Sequence, residues 1–162
     1  MTLIVSDTSP VTNLIKIGML SLLHDVYGQI IIPQSVYEEL CEIESQKQML
    51  DRLTWIQVMT ARNRELVRTL ETELDKGESE SIALAVELKA DFLIIDESNG
   101  RQKAESLGID IVGLLGTLLK AKEMGLLSEI QPILNRLIEQ AGFFISPQLK
   151  KHVLALAGES EE

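Results

Sequence analysis

The side chains with most chemistry to offer are carboxylates placed where predicted elements end or begin. Asp7 closes the apolar run "LIVSD", and Asp96 with Glu97 closes "FLIIDE". Glu38 and Glu39 lie in "PQSVYEEL", just after the apolar run "QIIIP", and Glu78 and Glu80 open "GESESIALA". Carboxylates brought together repel one another and hold their protons more tightly. Given one or two divalent cations, such a cluster can activate water and steady the attacking and leaving oxygens of phosphodiester cleavage.

Each acid also has a plainer role. Asp7 could cap a helix, and first-turn acids such as Glu78 and Glu80 favour the helix dipole. Glu38 with Glu39 could be a solvated pair, and Asp96 a turn residue. Four separated segments that all supply acids at element junctions weigh toward one shared site. Ser9 and Pro10 read as N-cap and first helical position by themselves. That frees Asp7 from capping and makes it the expected first metal ligand, with Asp96 as its partner.

Other donors are scarce. The chain has one cysteine, Cys41, and two histidines, His24 and His152. An internal disulfide, a cysteine zinc site and a histidine-rich site are therefore excluded. Oxygen donors suit a hard ion, Mg²⁺ or Mn²⁺. His24 and His152 are expected at partly buried helical positions without a chemical role. Cys41 is expected to be inert, and Trp55 to anchor a short strand.

The elements that must position these acids follow from apolar patterning. "TLIVS", "QIIIP", "DFLIID" and "IDIVG" are short buried strands, and "WIQVM" alternates weakly, as an edge strand would. Helices fall between them. "SPVTNLIKIG" and "MLSLLHDVYG" stop at Gly18 and Gly28. Residues 33–53 read as one long helix with Val36, Leu40, Ile43, Met49 and Leu50 as its apolar stripe. "ARNRELVRTLETEL", with Leu66, Leu70 and Leu74 on one face, "GESESIALAVELKA" and "SNGRQKAESLG" complete this part. Three more helices follow, broken at Gly125 and Gly142, and the last begins at Ser146–Pro147.

Alternating strands and helices predict an α/β fold, a three-layer αβα sandwich around a parallel sheet of about four to five strands, with extra C-terminal helices. Such sheets present functional groups beyond the carboxyl ends of their strands, where Asp7 and Asp96 fall. The expected organisation is a domain over residues 1–125, a helical extension over 126–158 packed on it, and a disordered tail over 159–162. Composition is 45% hydrophobic with 4% aromatic residues, so the core is expected to be aliphatic.

A net charge of −10 argues against bulk attraction to nucleic acid, although metal-site acids account for part of it. No apolar run is long enough to span a membrane and no signal peptide is visible, so a cytoplasmic location is expected. Arg62, Arg64 and Arg68, Lys120 with Lys122, and Lys150 with Lys151 are weak basic clusters, read as solvated faces. No aromatic stacking platform for single strands is expected.

The blocks "VSDTSPVTNL", "IIIPQSVYEEL", "GESESIALA" and "FLIIDESNGR" resemble, in order, the four acidic blocks of the PIN-domain family. More closely, they resemble a PIN-like branch long known as a domain of unknown function. The run "GE-x-E-x-I-x-L-A" is matched by Glu78, Glu80, Ile82, Leu84 and Ala85, and "D-[DE]-x-x-G-R" by Asp96, Glu97, Gly100 and Arg101. The resemblance implies a VapC-like ribonuclease dependent on Mg²⁺ or Mn²⁺, with RNA as substrate. It further implies a possible toxin role, with an antitoxin protein or a second copy as partner. Carried over, Asp7, Glu39, Glu80 or Glu78, and Asp96 would hold the metal, and Thr8 or Ser9 would orient the first ligand or the water. Glu97 departs from the more frequent second aspartate. Arg101 is read as a phosphate contact or a carboxylate partner within the site. The alternative from another class is an inactive PIN-like module that binds protein or RNA.

Other families fit less well. A haloacid dehalogenase-type phosphatase needs a second aspartate where Ser9 stands. A response-regulator receiver needs an acidic pair on its first strand and a late lysine. Dinucleotide and phosphate-loop glycine signatures are missing.

Overall fold

A computed structural model describes residues 2–160. Among them, five parallel strands form one sheet in the order β3-β2-β1-β4-β5. The strands are β1 (Ile4–Ser6), β2 (Ile30–Pro33), β3 (Ile56–Met59), β4 (Phe92–Ile94) and β5 (Ile111–Val112). Helices α1 (Thr8–Lys16) and α2 (Ser21–Tyr27) link β1 to β2, and α3 (Gln34–Leu40) and α4 (Glu44–Asp51) link β2 to β3. Next come α5 (Arg64–Leu70) and α6 (Lys76–Leu88) before β4, and α7 (Ser98–Ser106) before β5. The chain closes with α8 (Leu114–Glu123), α9 (Gln131–Ala141) and α10 (Pro147–Leu156).

Successive strand residues point to opposite faces, and each face has its own core. Ile4, Ile30, Ile32 and Ile94 pack with Val11 and Leu14 of α1, Leu118 of α8 and Leu134 of α9. Val5, Ile31, Leu93 and Ile95 pack with Val67 and Leu70 of α5 and Ile82 to Ala85 of α6. The result is the expected three-layer α/β sandwich. Val153 and Leu154 of α10 join the first core.

The strand order places β1 at the centre. From β1 the chain moves outward through β2 and β3, then returns to the other side of β1 as β4 and β5. Two crossovers that leave in opposite directions open a crevice at the carboxyl ends of β1 and β4. Backbone pairing continues beyond β4: the Asp7 N–H donates to the Ile94 carbonyl at 3.0 Å, and the Ile95 N–H to Val112 at 2.9 Å. Asp7 and Asp96 are thereby delivered side by side.

Two expectations are corrected. The helix over 33–53 breaks after Leu40, because Ile43 is extended at φ −100°, ψ 116°. Ile43 and Met49 are 52% and 40% exposed, so they do not form a buried stripe. Helix α1 starts at Thr8, with Asp7 in the N-cap position, rather than at Pro10.

Glu159 stands at the start of the expected tail. Glu159 is fixed: its carboxylate accepts from Lys122 Nζ at 2.9 Å and from the N–H groups of Ile130 and Gln131 at 2.8 and 3.1 Å. It therefore satisfies donors at the start of α9, which no residue of that helix caps. Residues 161–162 of the expected tail lie outside the described part. No described helix is long and apolar enough to cross a membrane.

Burial pushes the Glu159 carboxyl up, but the hydrogen bonds from Ile130, Lys122 and Gln131 outweigh it and leave the group below its ordinary value. A lowered carboxyl contributes stability above its unfolded pKa of about 4.3, and that contribution disappears as pH falls through the folded value. Glu159→Gln is expected to lower unfolding free energy by about 1–2 kcal/mol at pH 7. Urea denaturation should show the difference from wild type shrinking below about pH 4.

Candidate active site

Asp7 is buried at the end of β1, and its carboxylate makes no capping bond to α1 among the described residues. Its proton affinity carries the cost: burial first, then the Asp75, Glu39 and Asp96 carboxylates, push it up to about 7. Glu39 approaches from the last turn of α3. Its Oε2 accepts from the Thr8 hydroxyl at 2.8 Å, which ties α3 to the start of α1.

The first turn of α6 covers this pair. A Cβ on Gly77 would lie 3.4 Å from Asp7 Oδ1, 3.4 Å from Thr8 Oγ1 and 3.5 Å from Glu39 Oε2. The bare backbone therefore sits against all three oxygens. The next residue, Glu78, is buried, and its Oε2 has no partner among the described residues. Burial, then Asp75, Asp7 and Glu97, push the Glu78 carboxyl up to about 8.

Helix α7 closes the other side. A Cβ on Gly100 would fall 2.7 Å from Glu78 Oε2 and 2.7 Å from Ile95 Cδ1, so only glycine lets α7 approach this closely. Asp96 completes the set. Its Oδ1 accepts from the Leu114 N–H at 2.9 Å, while Oδ2 is buried without a partner among the described residues. Burial raises its carboxyl more than the Leu114 N–H and the Arg101 guanidinium lower it. Arg101 Nη1 donates to the Ile95 carbonyl at 2.9 Å, which turns the guanidinium back toward Asp96.

Two cavities, of about 810 and 320 Å³, adjoin here and share Ser9, Asn13 and Glu97 in their walls. The smaller contains Asp7, Glu39, Asp75 and Glu78, and the larger contains Asp96 and Arg101. The structure thus brings Asp7, Glu39, Glu78 and Asp96 to one crevice, with Thr8, Ser9, Glu97 and Arg101 around them. Glu38 instead lies on the exposed face of α3, accepting from Gln34.

Glu80 points elsewhere. Its carboxylate accepts from Arg64 Nη2 at 3.1 Å and from the Ser35 N–H at 3.4 Å, bracing α5 and the start of α3. Burial raises it, but the Ser35 and Arg64 hydrogen bonds prevail and hold it below its ordinary value. Residues two apart on a helix face different directions, which separates Glu78 from Glu80.

Asp75 was missed in the sequence. It caps α6 by accepting from the Glu78 N–H at 2.8 Å, and its charge adds to the proton affinity of both Asp7 and Glu78. The available signal was an acid three residues ahead of a glutamate at a helix start. His152, expected to be partly buried, is exposed and lines the larger cavity beside Phe143 and Phe144.

Among the described residues, no three His, Cys, Asp or Glu side chains already stand close enough to hold a metal ion. The donor set nevertheless fits a hard cation: every candidate atom is a carboxylate oxygen, and two are buried without a partner. Like charges with nothing between them stand apart for the same electrostatic reason that a cation would draw them in.

A family model described as a PIN domain matches residues 3–159. No curated protein matches the chain.

Two measurements check this geometry. Carboxyls raised in the folded state favour it below their unfolded pKa and disfavour it as pH climbs through the folded values. In EDTA, stability should therefore fall between about pH 4 and pH 8. Asp7→Asn should recover about 2–4 kcal/mol at pH 8, read by urea denaturation. Gly100→Ala should lose about 1–3 kcal/mol through overpacking against Glu78 and Ile95, read by thermal melting.

Proposed function

The chain belongs to the PIN-domain family, and from that premise we propose that it is a metal-dependent endoribonuclease hydrolysing RNA phosphodiester bonds. PIN-domain proteins are generally nucleases that use divalent metals. The observation that carries the reading is the pair of buried, unpartnered carboxylate oxygens, Glu78 Oε2 and Asp96 Oδ2, beside Asp7 at the switch point of the sheet. A structural acid would have found a partner, as Glu80 does with Arg64.

In this reading Asp7, Glu39, Glu78 and Asp96 hold Mg²⁺ or Mn²⁺. The ion supplies positive charge for the scissile phosphate and a lowered water pKa. The remaining work belongs to the protein. Thr8 fixes the Glu39 carboxylate and the Leu114 N–H fixes Asp96, while the nearby Arg101 charge favours the ionised form of Asp96. Asp75 secures the turn that presents Glu78. Ser9 and Glu97 stand on the open side, where substrate would enter. Glu80 is assigned to positioning α3, and hence Glu39, rather than to the metal. A toxin role in the cytoplasm, held in check by an antitoxin or paired with a second copy, is the setting that the family resemblance suggests.

Millimolar Mn²⁺ should raise the melting temperature by about 5 °C or more, and RNA should be cleaved in Mn²⁺ and spared in EDTA. Asp7→Asn, Glu78→Gln and Asp96→Asn should each reduce cleavage about 100-fold or more and remove the thermal shift. Glu80→Gln should lower stability but keep the shift. Gel assays on a panel of RNAs and thermal melts decide the matter. An unshifted melt together with intact RNA would leave the inactive binding module as the better reading.

A further inference from the structure

Helix α1 has two faces of different character. Val11 and Leu14 are buried in the first core, and Ile17, just past the helix end, joins them. On the other side Ser9, Thr12, Asn13 and Lys16 line the smaller cavity. Offsets of three, four and seven residues put these four on one face of the helix. Burial of Val11 and Leu14 fixes the rotation of α1 and so turns the polar face toward the crevice.

The lining of that cavity divides by chemistry. Asp7, Glu39, Asp75, Glu78 and Glu97 supply carboxylates, and Lys16 is the one cation beside them among the described residues. Ionised carboxylates only accept hydrogen bonds, whereas a hydroxyl, an amide and an ammonium can all donate. Lys16 is exposed and joins no ion pair among the described residues, whose ion pairs engage Lys47, Arg64, Lys103 and Lys122 instead. A lysine that shares a cavity with several acids and pairs with none of them is available to an incoming anion. Its place in the last turn of α1 favours the helix dipole. A lysine on any side of that turn would do the same, but only this side overlooks the acids.

We propose that Lys16 binds a phosphate of the substrate strand that flanks the scissile one, with its ammonium on a non-bridging oxygen and Asn13 donating along the same face. The proposal rests on the nuclease reading for the identity of the anion. Seven residues carry the polar face about 10 Å along the axis from Ser9 to Lys16. That is longer than a single phosphate group, so the lysine serves a neighbour of the phosphate at Asp7 and Glu78. A phosphate at the acid cluster needs a cation between it and the carboxylates, whereas the flanking phosphate meets the ammonium directly. Lysine acts there as a point charge. It fixes where the strand lies and reads no base.

The test uses the full chain and a short fluorescent single-stranded RNA. Binding is read by anisotropy in millimolar Ca²⁺ over a range of salt, with the RNA checked to be intact. Lys16→Gln should weaken binding about ten-fold at low salt and flatten the dependence of log Kd on log salt by about 0.7, the share of one phosphate contact. Lys16→Arg should keep both close to wild type. Lys47→Gln, which removes the same charge outside both cavities, should match wild type. In Mn²⁺, Lys16→Gln should raise KM about ten-fold, leave kcat within about two-fold and keep the thermal shift. An unchanged salt slope in Lys16→Gln, an equal loss in Lys47→Gln, or no RNA binding by wild type would overturn the proposal. So would loss of the Mn²⁺ thermal shift in Lys16→Gln, which would assign the lysine to the structure of the acid cluster. Cleavage by wild type is scored separately. RNA held through Lys16 but never cut in Mn²⁺ strikes the nuclease reading alone, and cleavage with an unaltered KM in Lys16→Gln strikes the lysine alone.

Discussion

Carboxylate charge confined at the junction of β1 and β4 is the constraint around which the rest of the structure is arranged. Asp7 and Glu78 are buried and Asp96 nearly so, with proton affinities raised by burial and by neighbouring carboxylates. Such a group of acids is unfavourable unless something holds it rigidly. The sheet does this through the bond from the Asp7 N–H to the Ile94 carbonyl, which sets the two strand ends side by side. The aliphatic cores on both faces then make that bond costly to break.

The helices continue the same work. Helix α6 presents buried residues from Gly77 to Ala85 without interruption, so it is wedged between the sheet and its neighbours and cannot rotate to relieve Glu78. Gly77 admits the oxygens of Asp7, Thr8 and Glu39, and Gly100 admits Glu78 itself. A third glycine, Gly113, lies where a Cβ would fall 2.6 Å from both Asp96 Oδ1 and Arg101 Nη1. At Gly100 and Gly113 a missing methyl group, rather than an unusual backbone angle, creates room for a charged side chain, whereas a Cβ at Gly77 would make ordinary contacts. Glu80 shows the contrasting solution: an acid of the same helix, two residues on, neutralised by Arg64 and removed from the crevice.

Much of this was legible in the sequence because period and punctuation are local signals. The strands "LIVS", "IIIP" and "FLII" and the stops at Gly18 and Gly28 appear where their residue types require, as does the cap at Ser146. What escaped depends on distant contacts. The break after Leu40 interrupts a segment whose residue types all allow a helix. Glu159 looked like the start of a polar tail because its partners Lys122, Ile130 and Gln131 are far from it in sequence. Choosing between Glu78 and Glu80 needed the direction of each side chain around α6, which depends on the faces that α5, α3 and α7 cover.

Under the proposed function, the negative charge of the chain and a nucleic-acid substrate are reconciled by where the acids lie. A net charge of −10 spread evenly would repel RNA from every direction. Exposed charges more than about 8 Å apart are largely screened at physiological salt, so the local surface matters more than the total. Along the crevice α1 contributes no acid and carries Lys16, and Arg101 lies near Asp96. The repulsion that remains is concentrated at the acid cluster, where a bound divalent cation would reverse its sign. Under that function, substrate binding and metal binding would then be linked: a cation neutralising Asp7, Glu78 and Asp96 would also remove the main electrostatic barrier to a phosphate entering between them. Under the proposed function, an acidic protein arranged this way would reject RNA when its site is empty and accept it when the site is loaded, which would tie substrate affinity to the metal-bound form.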